Sequence, residues 1–112
     1  MDLQVDGRSV TLDDEGYLID PEDWNEATAH ALAANENIEL NEDHWEVFEF
    51  MRGYYTRNGI TADARFVIKF LAQKRGKGAN ARSYLFTLFP YGYVKQACKL
   101  AGMRRPRAWS SG

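Results

Sequence analysis

Charge is segregated along this chain in a way that limits how it can fold. All 16 acidic side chains lie in residues 1–63, together with only three of the 14 basic ones, Arg8, Arg52 and Arg57. Residues 64–112 carry the remaining basic side chains and no Asp or Glu, so a formal net charge of -2 conceals an acidic half and a basic half. Two arrangements satisfy this pattern. The halves pack together and neutralise one another, or part of the basic half stays uncovered for an anionic partner such as RNA, DNA or an acidic protein patch.

With 112 residues, 45% hydrophobic and 13% aromatic, the chain suits one globular domain with a modest core. No apolar run approaches the ~20 residues of a membrane span, so no membrane partner is expected. Met1 to Asp6 has neither the basic start nor the apolar stretch of a signal peptide, and the expected location is cytoplasmic. The single cysteine, Cys98, gives no disulfide framework, and no Cys/His spacing suggests zinc. No metal or cofactor is expected, and the chain reads as a monomer.

Leu3, Val5, Val10 and Leu12 alternate with polar residues around Asp6-Gly7, which predicts a β-hairpin. A second turn at Asp13–Gly16 precedes Tyr17-Leu18-Ile19. Asp20-Pro21 is expected to open a first helix, with Asp20 as N-cap, that ends at Asn35 and Asn37. A second helix follows Asn41-Glu42-Asp43, with Trp45, Phe48, Met51 and Tyr55 at helical spacing and Gly59 as C-cap. Thr61 is expected to cap a third helix carrying Phe66, Val67, Phe70 and Leu71. After the basic turn from Lys74 to Asn80, a fourth helix with Tyr84, Leu85 and Leu88 stops at Pro90. A fifth runs from about Gly92 to Ala101 and ends at Gly102. The expected class is α+β and mostly α-helical: an N-terminal hairpin, about five helices including a helix–turn–helix-like element, and a mobile basic arm. The boundary between domain and arm falls between residues 103 and 104.

Cys98 is the leading candidate for chemistry. Val94, Ala97, Cys98 and Ala101 fall at i, i+3, i+4 and i+7, an apolar stripe that would turn the thiol inward and raise its pKa. Lys95, Lys99, Arg104 and Arg105 lie nearby in sequence and would favour the thiolate. Both readings stand on pattern alone. The turn Lys74-Arg75-Gly76-Lys77-Gly78 lacks the Gly-x-x-x-x-Gly-Lys-Ser/Thr arrangement of a phosphate loop and reads as an inter-helix turn. The helices it joins could present a basic face, with Arg65, Lys69 and Arg82, to a nucleic-acid groove. His30 and His44 lack companion ligands and suit solvated or capping roles. Trp109, in an arginine-rich tail with Arg107, is a candidate docking anchor.

Gly16-Tyr17-Leu18, His44-Trp45-Glu46-Val47, Leu88-Phe89-Pro90-Tyr91-Gly92, and Lys95-Gln96-Ala97-Cys98 with Ala101-Gly102 together resemble the DsrC/TusE family, in the right order and over nearly the whole chain. The resemblance implies a small helical protein with an N-terminal hairpin, acting as a sulfur carrier with dissimilatory sulfite reductase or in the relay that thiolates tRNA. Family members carry sulfur on a penultimate cysteine of a C-terminal arm, and the sulfite-reductase type has a second cysteine eleven residues upstream. Cys98 matches the upstream cysteine. Trp109 stands eleven residues further on, and the penultimate residue is Ser111, whose hydroxyl cannot hold a persulfide. Tyr93 also replaces the proline common after Tyr-Gly, and Met103-Arg104-Arg105-Pro106 replaces a Leu-Pro-Lys-Pro arm.

The resemblance therefore implies a sulfur-relay or sulfur-metabolism protein that docks to a sulfurtransferase or sulfite-reductase-like partner. Any persulfide or mixed disulfide would sit on Cys98, supported by Lys95, Lys99, Arg104, Arg105, Arg107 and Trp109. Its activity is at most that of a sulfurtransferase-type carrier, not of a self-sufficient catalyst. The alternative is a regulatory paralogue that binds DNA or a protein through its basic half without carrying sulfur.

Overall fold

The structure is a computed structural model in which residues 1–106 are described. Strands β1 (Asp2–Val5) and β2 (Arg8–Thr11) pair antiparallel in the register Leu3↔Val10 and Val5↔Arg8. Asp6 and Gly7 both take positive φ, 48° and 78°, which matches the right-handed twist of the strands they join. The alternation puts Val5, Val10 and Leu12 in the core. Asp13 then accepts from the backbone N–H groups of Glu15 and Tyr17 at 2.9 and 3.0 Å, a side-chain-built turn that sends Tyr17 and Leu18 inward.

The first helix starts later than the sequence suggests. Asp20 does accept from Glu22 N–H, but Pro21–Asp23 forms only one 3-10 turn. Trp24 is extended, and the helix restarts as α1 (Glu26–Asn35) with Asn25 as its N-cap. The break lets the Trp24 indole reach the C-terminal segment. Helix α2 (Glu42–Asn58) begins at Asn41 as expected and ends at Gly59 in the left-handed conformation. Helix α3 (Ala64–Lys74) is capped by Asp63 rather than Thr61. The Asp63 carboxylate sits next to the first turn and accepts from Arg65 N–H at 2.9 Å.

A short 3-10 turn at Gly78–Asn80 leads into α4 (Ala81–Leu88), and α3 packs on both α2 and α4. The last helical segment, α5 (Tyr93–Cys98), is wound as a π-helix instead of the regular α-helix that the spacing predicted. The wider turn buries Tyr93 and Gln96 along with Ala97 and Cys98, so the inward face is broader than the four-residue stripe. Phe48, Met51, Val67, Leu71, Leu85, Phe89, Leu100 and Met103 fill the core. No helix among the described residues is long and apolar enough to cross a membrane.

Candidate functional site: a buried thiol under a C-terminal strap

Helix α5 owes its position to ties from every preceding part of the chain. It starts at Gly92, whose φ of 94° and ψ of -178° lie in a region essentially reserved for glycine. The buried Gln96 side chain accepts from Tyr91 N–H at 2.8 Å and donates to the Glu36 carboxylate at 3.0 Å. Tyr17 Oη donates to the Val94 carbonyl at 2.8 Å, linking the β-hairpin region to this helix. Tyr93 Oη donates to the buried Ala62 carbonyl at 2.5 Å, linking it to the start of α3.

The carbonyl end is closed by a clamp. Trp24 Nε1 donates to Leu100 O at 2.8 Å. Arg52 of α2 donates to Ala101 O at 2.9 Å and to Pro21 O at 2.8 Å, with its guanidinium 4.4 Å from the Trp24 ring centroid. A helix end leaves carbonyls without partners and a partial negative charge, and a guanidinium meets both needs. Gly102, at φ 78°, lies so close beneath the clamp that a Cβ would meet Trp24 Cδ1 at 2.5 Å and Arg52 Nη1 at 2.8 Å. Beyond it Met103 is fully buried, which contributes about 1.5–3 kcal/mol to holding the segment down. Arg104 Nε donates to Ile19 O at 3.1 Å, and Arg105 pairs with Glu15. The arm expected from Arg104 onward is thus fastened at its first two residues.

Cys98 has no exposed surface, in line with the inward-facing stripe, and the strap is joined to it at the backbone, where Met103 N–H donates to the Cys98 carbonyl at 2.9 Å. Burial pushes its thiol up to about 12, while a hydrogen bond with the Tyr93 hydroxyl works in the opposite direction. Tyr93 is itself raised, first by burial and then by Cys98. The basic side chains expected to support the thiolate are gathered elsewhere. Lys95, Lys99 and Arg105 line a cleft of about 480 Å³ with Glu15, Tyr17, Glu36 and Tyr91. Lys99 Nζ lies 3.5 Å from the Glu36 carboxylate and 5.2 Å from the Tyr17 ring centroid. Tyr17, pushed up to about 12 chiefly by burial, stands between cleft and core. Arg107 and Trp109 lie outside the described residues.

Charge pairing across the two halves is explicit. Arg75 of the basic turn donates to Asp43 and Glu42, each at 2.7 Å, and Lys77 Nζ lies 3.8 Å from Asp43. Tyr84 of α4 also donates to Asp43, and this bond, with Arg75, holds the Asp43 carboxyl below the usual carboxylate range. Arg75, Lys77, Lys99 and Arg105 are all matched by acidic residues of the first half. The helix–turn–helix-like pair α3–α4 therefore has a turn whose basic residues face the acidic start of α2.

His44 is a structural tie. Its Nδ1 accepts from Asn41 N–H at 3.0 Å, so the proton sits on Nε2, which donates to Leu88 O at 2.8 Å. Burial lowers its pKa below the ordinary histidine value. The capping role was legible; the reach to α4 was not. Sequence reasoning placed Gly102 at the end of the last helix and Gln96 in a family motif without giving either a contact, and it assigned Arg52 no role. Gln96 carried a signal as a polar residue between positions of an apolar stripe, whereas Arg52 carried none.

These features define a class: a small helical domain with its one thiol buried beside a fastened C-terminal strap. The family model described as "DsrC like protein" matches residues 4–108. Sulfurtransferase TusE of Pectobacterium atrosepticum is 42% identical over 104 residues, covering 93% of this chain and 95% of that protein. TusE of Salmonella typhimurium is 43% identical over the same shares. Among solved structures, Allochromatium vinosum DsrC aligns with a TM-score of 0.85 at 39% identity, covering 96% of this chain and 98% of that one. The oxidized gamma-subunit of the dissimilatory sulfite reductase from Archaeoglobus fulgidus aligns with a TM-score of 0.83 at 32% identity, over the same shares. The chain belongs to the DsrC family.

Proposed function

We propose that this chain is a sulfur-relay protein of the DsrC and TusE type that acts by docking to a sulfurtransferase or a sulfite-reductase-like partner, and that any sulfur it accepts is held on Cys98. The observation that carries this reading is the full burial of the sole thiol next to a strap secured by a few named contacts. In the closed form the thiol is inert: it has no exposed surface, and burial keeps it protonated at neutral pH. Docking would act by lifting the strap at Gly102–Arg105, which exposes Cys98 and brings its pKa back toward the ordinary thiol range.

The transfer step then balances simply. The Cys98 thiol loses its proton to solvent, and the thiolate attacks the outer sulfur of a partner's persulfide. A new S–S bond forms on Cys98 as the partner's S–S bond breaks, and the partner leaves as a thiolate. No net oxidation occurs. Trp109 and Ser111 offer no second thiol, so onward delivery runs from Cys98 itself.

Intact mass spectrometry after incubation with a persulfide-loaded sulfurtransferase tests this reading. The expected result is a gain of about 32 Da on the wild type and none on Cys98→Ser. No gain on the wild type, or an equal gain on both, refutes it.

A further inference from the structure

A second groove, of about 550 Å³, shares no lining residue with the cleft beside Tyr17. Spacing explains how it forms. Trp45, Glu49, Gly53 and Thr56 recur at four-, four- and three-residue intervals and so share one face of α2. Trp24 and Glu26 flank Asn25, the N-cap of α1, and form the facing wall. Both indoles stand edge-on to Phe48, with centroids at 6.2 and 5.5 Å, which fixes their planes. The Arg52 guanidinium at the groove's base is already spent on two backbone carbonyls. Glu26 and Glu49 are exposed, and among the described residues neither forms an ion pair.

Gly53 points outward for its explanation. A glycine inside a helix is destabilising relative to alanine. A Cβ at this position would meet only the flexible end of Arg57, with Nη1 at 3.1 Å. Packing within the protein does not require the missing side chain. A glycine here also leaves the backbone of α2 open to close approach at the groove.

We propose that this groove recognises an arginine side chain presented by a partner protein. A planar guanidinium stacks on an indole face and donates in a fork to carboxylates, which suits the Trp45 wall with Glu26 and Glu49 at the rim, the Trp24 ring already carrying Arg52 at 4.4 Å. Glu26 and Glu49 outnumber Arg52, the one guanidinium in the lining, whose N–H groups are turned to backbone carbonyls, so the rim favours a cation. Gly53 gives the partner's backbone room to lie against α2. This site is separate from Cys98 and does not depend on sulfur transfer.

The test is an NMR titration of the full chain with the blocked peptide acetyl-Gly-Arg-Gly-amide, with norleucine and glutamate in place of arginine as controls. The expected result is saturable shifts at the Trp24 and Trp45 indole N–H groups and the Gly53 amide, in the millimolar range and seen only with arginine. Glu49→Gln is expected to weaken binding roughly three- to fivefold, as the loss of a single exposed charge contact would. Gly53→Ala is expected to weaken it too, while leaving thermal stability unchanged or raised; a purely structural glycine would show the reverse. Equal shifts with norleucine, no saturation with arginine, or unchanged affinity in both variants overturns the proposal. Concentration-dependent shifts at these residues without peptide also overturn it, because they would assign the groove to a second copy of this chain.

Discussion

Replacing Gly102 with alanine tests whether the Trp24–Arg52 clamp holds the strap closed. The substitution meets two penalties of different origin. Alanine at φ 78° sits in the left-handed region, which costs about 1–2 kcal/mol for an L-residue. Its Cβ would also lie 2.5 Å from Trp24 Cδ1 and 2.7 Å from Cγ, so the indole must move. That ring is tied to Leu100 O and packed under Arg52, so moving it sacrifices at least one hydrogen bond and strains the packing, a further ~2–3 kcal/mol. Gly59→Ala is the matched control, because Gly59 has a similar φ of 73° and a Cβ there would meet nothing within 4 Å. Urea unfolding followed by tryptophan fluorescence should therefore show Gly102→Ala costing ~3–5 kcal/mol and Gly59→Ala only ~1–2 kcal/mol. The same variant should let a thiol reagent reach Cys98 faster in the native state, since the strap is bonded to the Cys98 carbonyl through Met103 N–H and displacing it loosens the end of α5. Equal losses for the two alanines, or an unchanged labelling rate in Gly102→Ala, would refute the clamp.

Three other variants follow from the same contacts. His44 has a folded pKa below its unfolded value of about 6.5, so its contribution to stability is complete above that pH and declines as pH falls below it. Unfolding free energy should therefore drop between pH 7 and 5, and His44→Gln should flatten that slope; an unchanged slope removes His44 as the cause. Tyr93→Phe removes the hydroxyl that donates to the buried Ala62 O. It should cost about 1–3 kcal/mol in urea unfolding, and unchanged stability would contradict the assignment. Asp43→Asn should cost about 2–3 kcal/mol by weakening the bonds from Arg75 and Tyr84, and it should loosen proteolytic protection of the 74–80 turn first. Uniform protection loss along the chain would argue against that local role.

Most of the architecture was legible because local chemistry and tertiary structure agree over much of this chain. Asp6-Gly7 between alternating strands, Asn41 before α2, Gly59 after it and Pro90 after α4 each act through nearest neighbours, and each appears where the sequence puts it. The misplacements arise where a distant contact prevails. Pro21 opens only one turn because Trp24 must stay extended to reach Leu100, and the last helix takes π winding while its Val94 carbonyl, Gln96 and Tyr93 tie to Tyr17, Glu36 and Ala62. The thiol's burial was readable from the Val94–Ala101 stripe. The positions of Lys95, Lys99 and Arg105 were not, because nearness in sequence to Cys98 says nothing about which side of α5 their charged ends leave from. Lys99 and Arg105 lie where Glu36 and Glu15 attract them, Lys95 lines the same cleft, and only the folded chain brings those carboxylates there.

The ties from Tyr17 to Val94, Trp24 to Leu100 and Arg104 to Ile19 span 77, 76 and 85 positions of chain. Such long-range closures are among the slowest to form and the latest to be possible during synthesis, because one partner must wait for the other to be made. The hairpin, α1 and α2 can assemble while α5 is still absent. Until residues 93–105 arrive, Arg52 has no carbonyl from Ala101 to meet, and Tyr17 has none from Val94. Newly made protein therefore passes through an interval in which the domain is largely built and its thiol is open. Redox conditions between the synthesis of Cys98 and the closure of these ties therefore bear on whether it is sealed in as a clean thiol.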